Sequence, residues 1–175
     1  MLYHFVWVAN FANMKEFVVH HRVTTERELE TLKVFLESNQ LPAHDLTLNN
    51  NLLLVYYNTH EALVGSGGLE FYGDLALLRS LAVSPELRGQ QLGKEIVAHL
   101  LTAAKEQNIR EVYLLTQTAS FFFQKIGFKL VSREAVPDVI QKSSEFATVC
   151  PTTAEVLVLK FSWPNACYPK IFLKR

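Results

Sequence analysis

The stretch from Leu77 to Gly93 constrains this 175-residue chain more than any other. An apolar run, Leu77-Leu78-Arg79-Ser80-Leu81-Ala82-Val83, ends at Ser84-Pro85. Proline lacks the amide that a strand ladder needs, so the run stops there. After Arg88-Gly89-Gln90-Gln91-Leu92-Gly93 the pattern becomes helical, with Ile96, Val97, Leu100, Leu101 and Ala104 on one face. A strand that turns through a short glycine-bearing loop into a long amphipathic helix must bury that helix against its own sheet. The fold class expected is therefore α/β (α+β), a central sheet with helices on both faces.

The rest of the chain extends this pattern as one domain, since no repeat or Pro/Gly-rich linker divides it. Residues 17–23 are β-branched and read as a first strand. Thr25 and Glu28 form a capping box that starts a helix to Ser38, with Leu29, Leu32 and Leu36 at the helical period. Residues 42–51 read as a short helix or a loop. Strands are expected over residues 52–57, 62–72 and 76–84, with turns at Asn58-Thr59-His60 and Gly73-Asp74, which makes an antiparallel meander. A helix is expected over residues 89–107 and a buried strand over residues 112–116. A short helix capped by Thr118 or Ser120 should follow and end at Gly127 as its left-handed residue. Strands at residues 128–132 and 155–161, with a short helix near residues 137–142 between them, complete the order. The core is expected over residues 15–161. Residues 1–13, before Met14, read as an upstream extension, and residues 162–175 as a tail. Trp7, Phe11 and the aromatic tail over residues 163–172 suit a homodimer contact or a monomer's own sheet cover.

Lys plus Arg number 17 and Asp plus Glu number 17, which leaves no net field to draw in nucleic acid or an acidic membrane. Cys150 and Cys167 form neither a disulfide framework nor a metal cluster, and His20-His21 would alternate across a strand, so no metal is assigned. With no clear export signal, these features point to the cytoplasm.

The chemistry concentrates in the loop before the long helix. First-turn amides have no intrahelical acceptor and lie at the positive end of the helix dipole, so a pyrophosphate fits there. Gly89 and Gly93 admit close approach of a ligand, and Arg88 adds charge. Following Leu81-Ala82-Val83-Ser84-Pro85, the run Arg88–Gly93 resembles the cofactor motif of the GNAT superfamily, Gln/Arg-x-x-Gly-x-Gly/Ala. Gln91 stands where that family usually has its middle glycine, and the expectation is that it presents its amide from helical geometry. Residues 112–116 and 119–128, a strand, a short helix and a Gly-Phe turn, resemble the family's second motif. The resemblance implies a mostly antiparallel mixed sheet, acetyl-CoA as cosubstrate and pantetheine inserted between splayed fourth and fifth strands. The implied cofactor contacts are Leu81, Ala82, Val83, Arg88, Gly89, Gln90, Gln91, Leu92, Gly93 and Phe123. Gly68-Leu69-Glu70, Leu77-Leu78-Arg79-Ser80, Leu114-Leu115-Thr116, Phe121-Phe122 and the segment from Glu145-Phe146 to Cys150-Pro151 are similar to a GNAT subgroup found beside arsenic-resistance genes.

Acyl transfer to an amine needs a proton acceptor. Glu70, near the end of the third strand, is the candidate base, and its bland alternative is an ion pair with Arg79. Arg79 and Ser80 are candidates to face the acceptor, and Arg79 would favour an oxyanion there if it pointed inward. The family's usual acid, a tyrosine four residues before Gly-Phe, is Phe123 here and donates no proton. Water, Thr116, Thr118, Tyr72 or Tyr113 would substitute, or the thiolate leaves unaided. The function implied is N-acetylation of a small-molecule amine or amino acid. The alternative is an acyl-CoA-binding sensor without efficient turnover.

Overall fold

The computed structural model describes residues 19–49 and 51–162. Seven strands form one sheet in the order β1-β2-β3-β4-β5-β7-β6. They are β1 (Val19–Arg22), β2 (Asn51–Tyr57), β3 (Leu63–Tyr72), β4 (Leu75–Val83), β5 (Glu111–Thr116), β6 (Lys129–Val131) and β7 (Glu155–Lys160). Every neighbouring pair is antiparallel except β4 and β5. The expected mixed, mostly antiparallel sheet is what forms. Helix α1 (Glu26–Ser38) lies on one face and α2 (Leu92–Glu106) on the other, while α3 (Ser120–Ile126) and α4 (Asp138–Gln141) complete the helices.

Local chemistry sets most boundaries. Thr25 and Glu28 close the capping box at α1, each bonding the other's backbone amide. Gly73, at φ +67°, makes the two-residue turn between Tyr72 and Leu75, which face each other across the hairpin. Because side chains alternate along a strand, β2 serves two cores: Leu53 and Val55 meet Leu29, Leu32 and Leu36 of α1, while Leu54 and Tyr56 join the α2 cluster. Helix α2 lies so close to β3 that a Cβ at Gly67 would sit 2.6 Å from Ile96 Cγ2. A third cluster joins Leu77 and Tyr113 to Val136, Ile140 and Phe146. His20 and His21 do alternate: His20 stacks on Tyr56 and His99, and His21 on Tyr57.

Several expectations are corrected. Helix α2 begins at Leu92 rather than at residue 89, after a 3-10 turn at Pro85–Leu87. Gly89 (φ +79°) and Gln91 (φ +73°) are both left-handed, which no right-handed helix can contain. The helical geometry expected for Gln91 is therefore wrong: it is the residue just before the helix. The N-cap of α3 is Ala119, and no side chain caps the first turn, neither Thr118 nor Ser120; Thr116 Oγ1 accepts from the Ala119 amide at 2.9 Å just before it. Of the two alternatives for residues 42–51, a short helix or a loop, residues 42–49 take the second. The connection before β7 holds a turn of π-helix, Glu145–Val149, that no periodicity announced. The first strand begins, among described residues, at Val19. The expectations for residues 1–13, Trp7, Phe11, Cys167 and the tail from residue 163 lie outside the described residues.

Candidate active site

β4 and β5 pair only at their starts, Leu75–Leu77 against Glu111–Tyr113, although β4 runs to Val83 and β5 to Thr116. The parting has a local cause. Ser66 faces Ala82 but Gly68 faces Arg79, so Gly67 alone opposes Ser80 and Leu81, which is a bulge in β4. Ser80 takes φ +57° to make it, and buried Ser66 ties it down by donating from Oγ to Ser80 O at 2.9 Å. A bulge bends its strand, here away from β5. The gap is a cleft of about 820 Å³, walled by β4 from Leu78 to Val83 on one side and by Leu114, Leu115 and Thr116 on the other.

One end of the cleft is the loop before α2. Gly89, Gln91, Gly93 and Lys94 line it. The Lys94 and Glu95 amides bond Gln91 O, and those of Arg88 and Gln90 close the preceding turns. Among the described residues the amides of Gly89, Gln91, Leu92 and Gly93 receive no such acceptor. These four amides sit together at the positive end of a 15-residue helix. Gly93 has no left-handed φ, and a Cβ there would meet only Phe122 and Val83 at ordinary distances of 3.5–3.7 Å. The protein itself therefore does not demand glycine at this position, and the space in front of it suits a ligand.

Not every candidate contact faces the cleft. Leu92 is the first core residue of α2, and only its backbone is available. The Gln90 side chain turns back to donate to Glu86 O at 2.7 Å. Arg88 lines the cleft, but its guanidinium donates from Nε to Val83 O at 3.0 Å and from Nη2 to Asn39 Oδ1 at 2.9 Å. It thus bridges β4 to the end of α1 and occupies the Val83 carbonyl. Leu81, Ala82, Val83 and Phe123 all line the cleft. Phe123 packs edge-to-face between Phe122 and Phe128, so its place is filled by ring contacts with nothing to titrate.

The other end is polar in a way that single residues did not announce. Arg79, with a side chain 2% exposed, is clamped by three carboxylates. Nη1 and Nη2 reach Asp45 at 2.8 and 2.7 Å, Nη1 also reaches Glu70 at 3.3 Å, and Nη2 reaches Glu145 at 2.9 Å. Ser144 Oγ donates to Asp45 at 2.6 Å, and Cys150 Sγ to Glu145 Oε1 at 3.3 Å. Arg79, Ser80, Glu145 and Cys150 line the cleft; Glu70, the sequence's candidate base, is not among its lining residues. Glu70 holds Arg79 instead; the carboxylates take both terminal nitrogens of Arg79, while its buried Nε has no partner. Burial pushes Glu145 above the usual carboxylate range against the pull of Arg79. Burial also works on Asp45, but its bonds from Arg79 and Ser144 hold it below that range. Burial and then the Glu145 charge push the Cys150 thiol up to about 12, so it stays protonated. Of the substitute acids, Thr116 and Thr118 line the cleft, whereas Tyr72 and Tyr113 do not and Tyr113 donates to Glu111. Two signals were missed: Asp45 sits in an unpatterned loop, and Glu145 is distant in sequence from every partner but Cys150.

A parallel strand pair that opens onto unbonded amides at a helix start defines a class of protein that seats a long, anion-ended ligand beside a strand edge. The family model for the Acetyltransferase (GNAT) domain matches residues 49–130. The chain is 33% identical over 132 residues to the uncharacterised protein YyaT of Bacillus subtilis, covering 68% of this chain and 88% of that one. It is 29% identical to an amino-acid acetyltransferase of Mycobacterium tuberculosis, over 76% of this chain and 75% of that one. It also matches the uncharacterised N-acetyltransferase CT2212 of Chlorobaculum tepidum at 32% identity over 51% of this chain, spanning only 56% of that relative's length. The crystal structure of N-acetylglutamate synthase from Neisseria gonorrhoeae, complexed with coenzyme A and N-acetyl-glutamate, superposes with a TM-score of 0.68. That likeness is one of fold alone, at 18% identity over 86% of this chain and 36% of that one. The chain belongs to the GNAT family of acyl-CoA-dependent N-acetyltransferases.

Proposed function

We propose that this chain moves an acetyl group from acetyl-CoA to the primary amine of a small molecule or amino acid. The observation that carries the reading is the parting of β4 from β5 directly onto the free amides of Gly89, Gln91, Leu92 and Gly93. Those amides would hold the diphosphate. Backbone groups of Leu81 and Val83, left without a β5 partner, would take the pantetheine amides as an added strand does. Ser80 Oγ, a buried hydroxyl without a partner on the same wall, offers one further polar group to a ligand. For Val83 O to serve, the Arg88 guanidinium must release it, and that frees a cation beside the phosphate site. The Neisseria enzyme carries coenzyme A in the same fold, which supports the choice of carrier. The runs from Gly68 to Glu70 and from Glu145 to Pro151 support, within the family, the subgroup found beside arsenic-resistance genes. Among the described residues no helix is long and apolar enough to cross a membrane.

A second reading, a sensor that binds the carrier without efficient turnover, draws on Phe123, which puts a packed ring where an acid would stand. Two measurements separate the readings. Acetyl-CoA at a hundredfold its Kd adds about 2.7 kcal/mol, which raises Tm by roughly 5–10 °C for a domain of this size. Release of free CoA thiol in the presence of amines marks the enzyme, and binding without release marks the sensor. A Tm that ignores acetyl-CoA removes both.

A further inference from the structure

The charge at the acceptor end is unbalanced. Among the described residues Arg79 is the one cation paired with Asp45, Glu70 and Glu145, while Arg133 acts on the neighbouring Cys150, so the paired cluster carries two surplus negative charges when all four groups are ionised. Both terminal nitrogens of Arg79 are engaged by these carboxylates, and its one unpartnered donor, Nε, is itself buried, which leaves no two-pronged face for an acid group on an incoming molecule. Glu145 is the carboxylate of the three that lines the cleft, at the start of the π-helical turn. Its Oε2 is fixed by Arg79, while its Oε1, among the described residues, meets only the neutral Cys150 thiol. An anionic wall of this kind attracts an ammonium group and repels a carboxylate.

Resting on the acetyl-transfer reading above, we propose that the acceptor is a cationic amine that carries no carboxylate beside the reacting nitrogen, seated against Glu145, whose Oε1 takes the ammonium proton. The proton that leaves the ammonium frees the nitrogen lone pair, which forms the N–C bond to the acyl carbon as the C–S bond breaks. A second N–H proton then neutralises the departing thiolate, so the products are the amide, CoA thiol and one proton that Glu145 returns to solvent. Asp45 and Glu70 are positioning residues, which hold Arg79 and through it one oxygen of Glu145. The groups facing Glu145 are Arg79 from β4, Glu70 from β3, Asp45 from its loop and Cys150 on its own segment. Burial raises Glu145 toward the pH at which an ammonium proton must be accepted, which suits a base.

The test pairs each amine with its carboxylated counterpart: phenethylamine with phenylalanine, histamine with histidine, agmatine with arginine. Thiol release should show kcat/KM at least tenfold higher for the amine in each responsive pair. In Glu145→Gln, kcat/KM at neutral pH should fall about a hundredfold and lose its acid limb, with the acetyl-CoA Tm shift retained as proof of fold and carrier binding. Glu145→Asp should restore a titrating limb, and Glu70→Gln should reduce the rate less while keeping the limb in place. A preference for the amino acids, an intact acid limb in Glu145→Gln, or silence from every pair while acetyl-CoA still binds overturns the proposal and leaves carrier binding standing. Loss of acetyl-CoA binding by the unaltered protein overturns the acetyl-transfer reading itself, and this proposal with it.

Discussion

The two ends of the cleft are built on opposite plans. At the α2 end the backbone supplies the polar groups: four amides without acceptors among the described residues, arranged by left-handed residues at 89 and 91. At the β4–π-turn end, side chains do the work: one buried guanidinium is locked by three carboxylates drawn from a loop, a strand and a late turn. A backbone site is tolerant of sequence and selective only for charge and shape. A side-chain lock is the reverse, since each member is stable only while the others are present. On the proposed reading, the first end takes the carrier and the second sets the selectivity for the acceptor.

The sharpest way to break that contrast is Arg79→Met. It leaves three carboxylates clustered in a largely buried site, and removal of one partner from such a lock costs about 3–5 kcal/mol. Urea denaturation reads the loss directly, and a cost below about 1 kcal/mol would mean the cluster is not a lock. Next in size is Gly93→Val, which places a branched side chain in front of the open amides. It should abolish the acetyl-CoA Tm shift, worth about 2.7 kcal/mol at a hundredfold Kd, while the ligand-free Tm moves little. An undiminished shift would place the diphosphate elsewhere.

Asp45→Asn probes the lock more gently, and pH gives its sign. The folded-state pKa of Asp45 is depressed, so its stabilisation is present above the ordinary carboxylate value and is lost as pH falls through the folded pKa. The variant should cost about 2 kcal/mol at pH 7 for the lost charged hydrogen bonds, and progressively less toward pH 3. Glu145 titrates with the opposite sign: its raised pKa favours folding at low pH, and that contribution fades as pH rises through it. A cost for Asp45→Asn that stays constant with pH would remove the charge from the explanation. The smallest effect expected is a gain. Gln91 holds a left-handed conformation that disfavours an L-residue by about 1–2 kcal/mol. Offset by the chain entropy of glycine, Gln91→Gly should stabilise the protein by about 1 kcal/mol, seen as a Tm rise of a few degrees. No gain would show that the left-handed turn at 91 is not strained.

What sequence alone determined here is what neighbouring residues decide among themselves. The Thr25–Glu28 box, the Gly73-Asp74 hairpin, the α2 stripe and the Gly127 stop all rest on contacts a few residues apart or on a repeating period. The α2 end of the cleft was legible as a pattern of elements for the same reason: a strand, a loop and a helix stand there in direct succession. Even there the reading ran too far, because only the backbone shows that Gly89 and Gln91 turn left-handed and delay α2 to Leu92. The acceptor end belongs to tertiary structure. Asp45 and Arg79 stand 34 positions apart, and Glu145 reaches them only because the third core cluster packs Phe146 beneath β4 and β5. The bulge at Ser80, which opens the cleft, exists through pairing with β3 and a bond from Ser66. Charges that meet from distant segments leave no period and no local signature. The fold alone decides which carboxylates hold an arginine and which of them also lines the cleft.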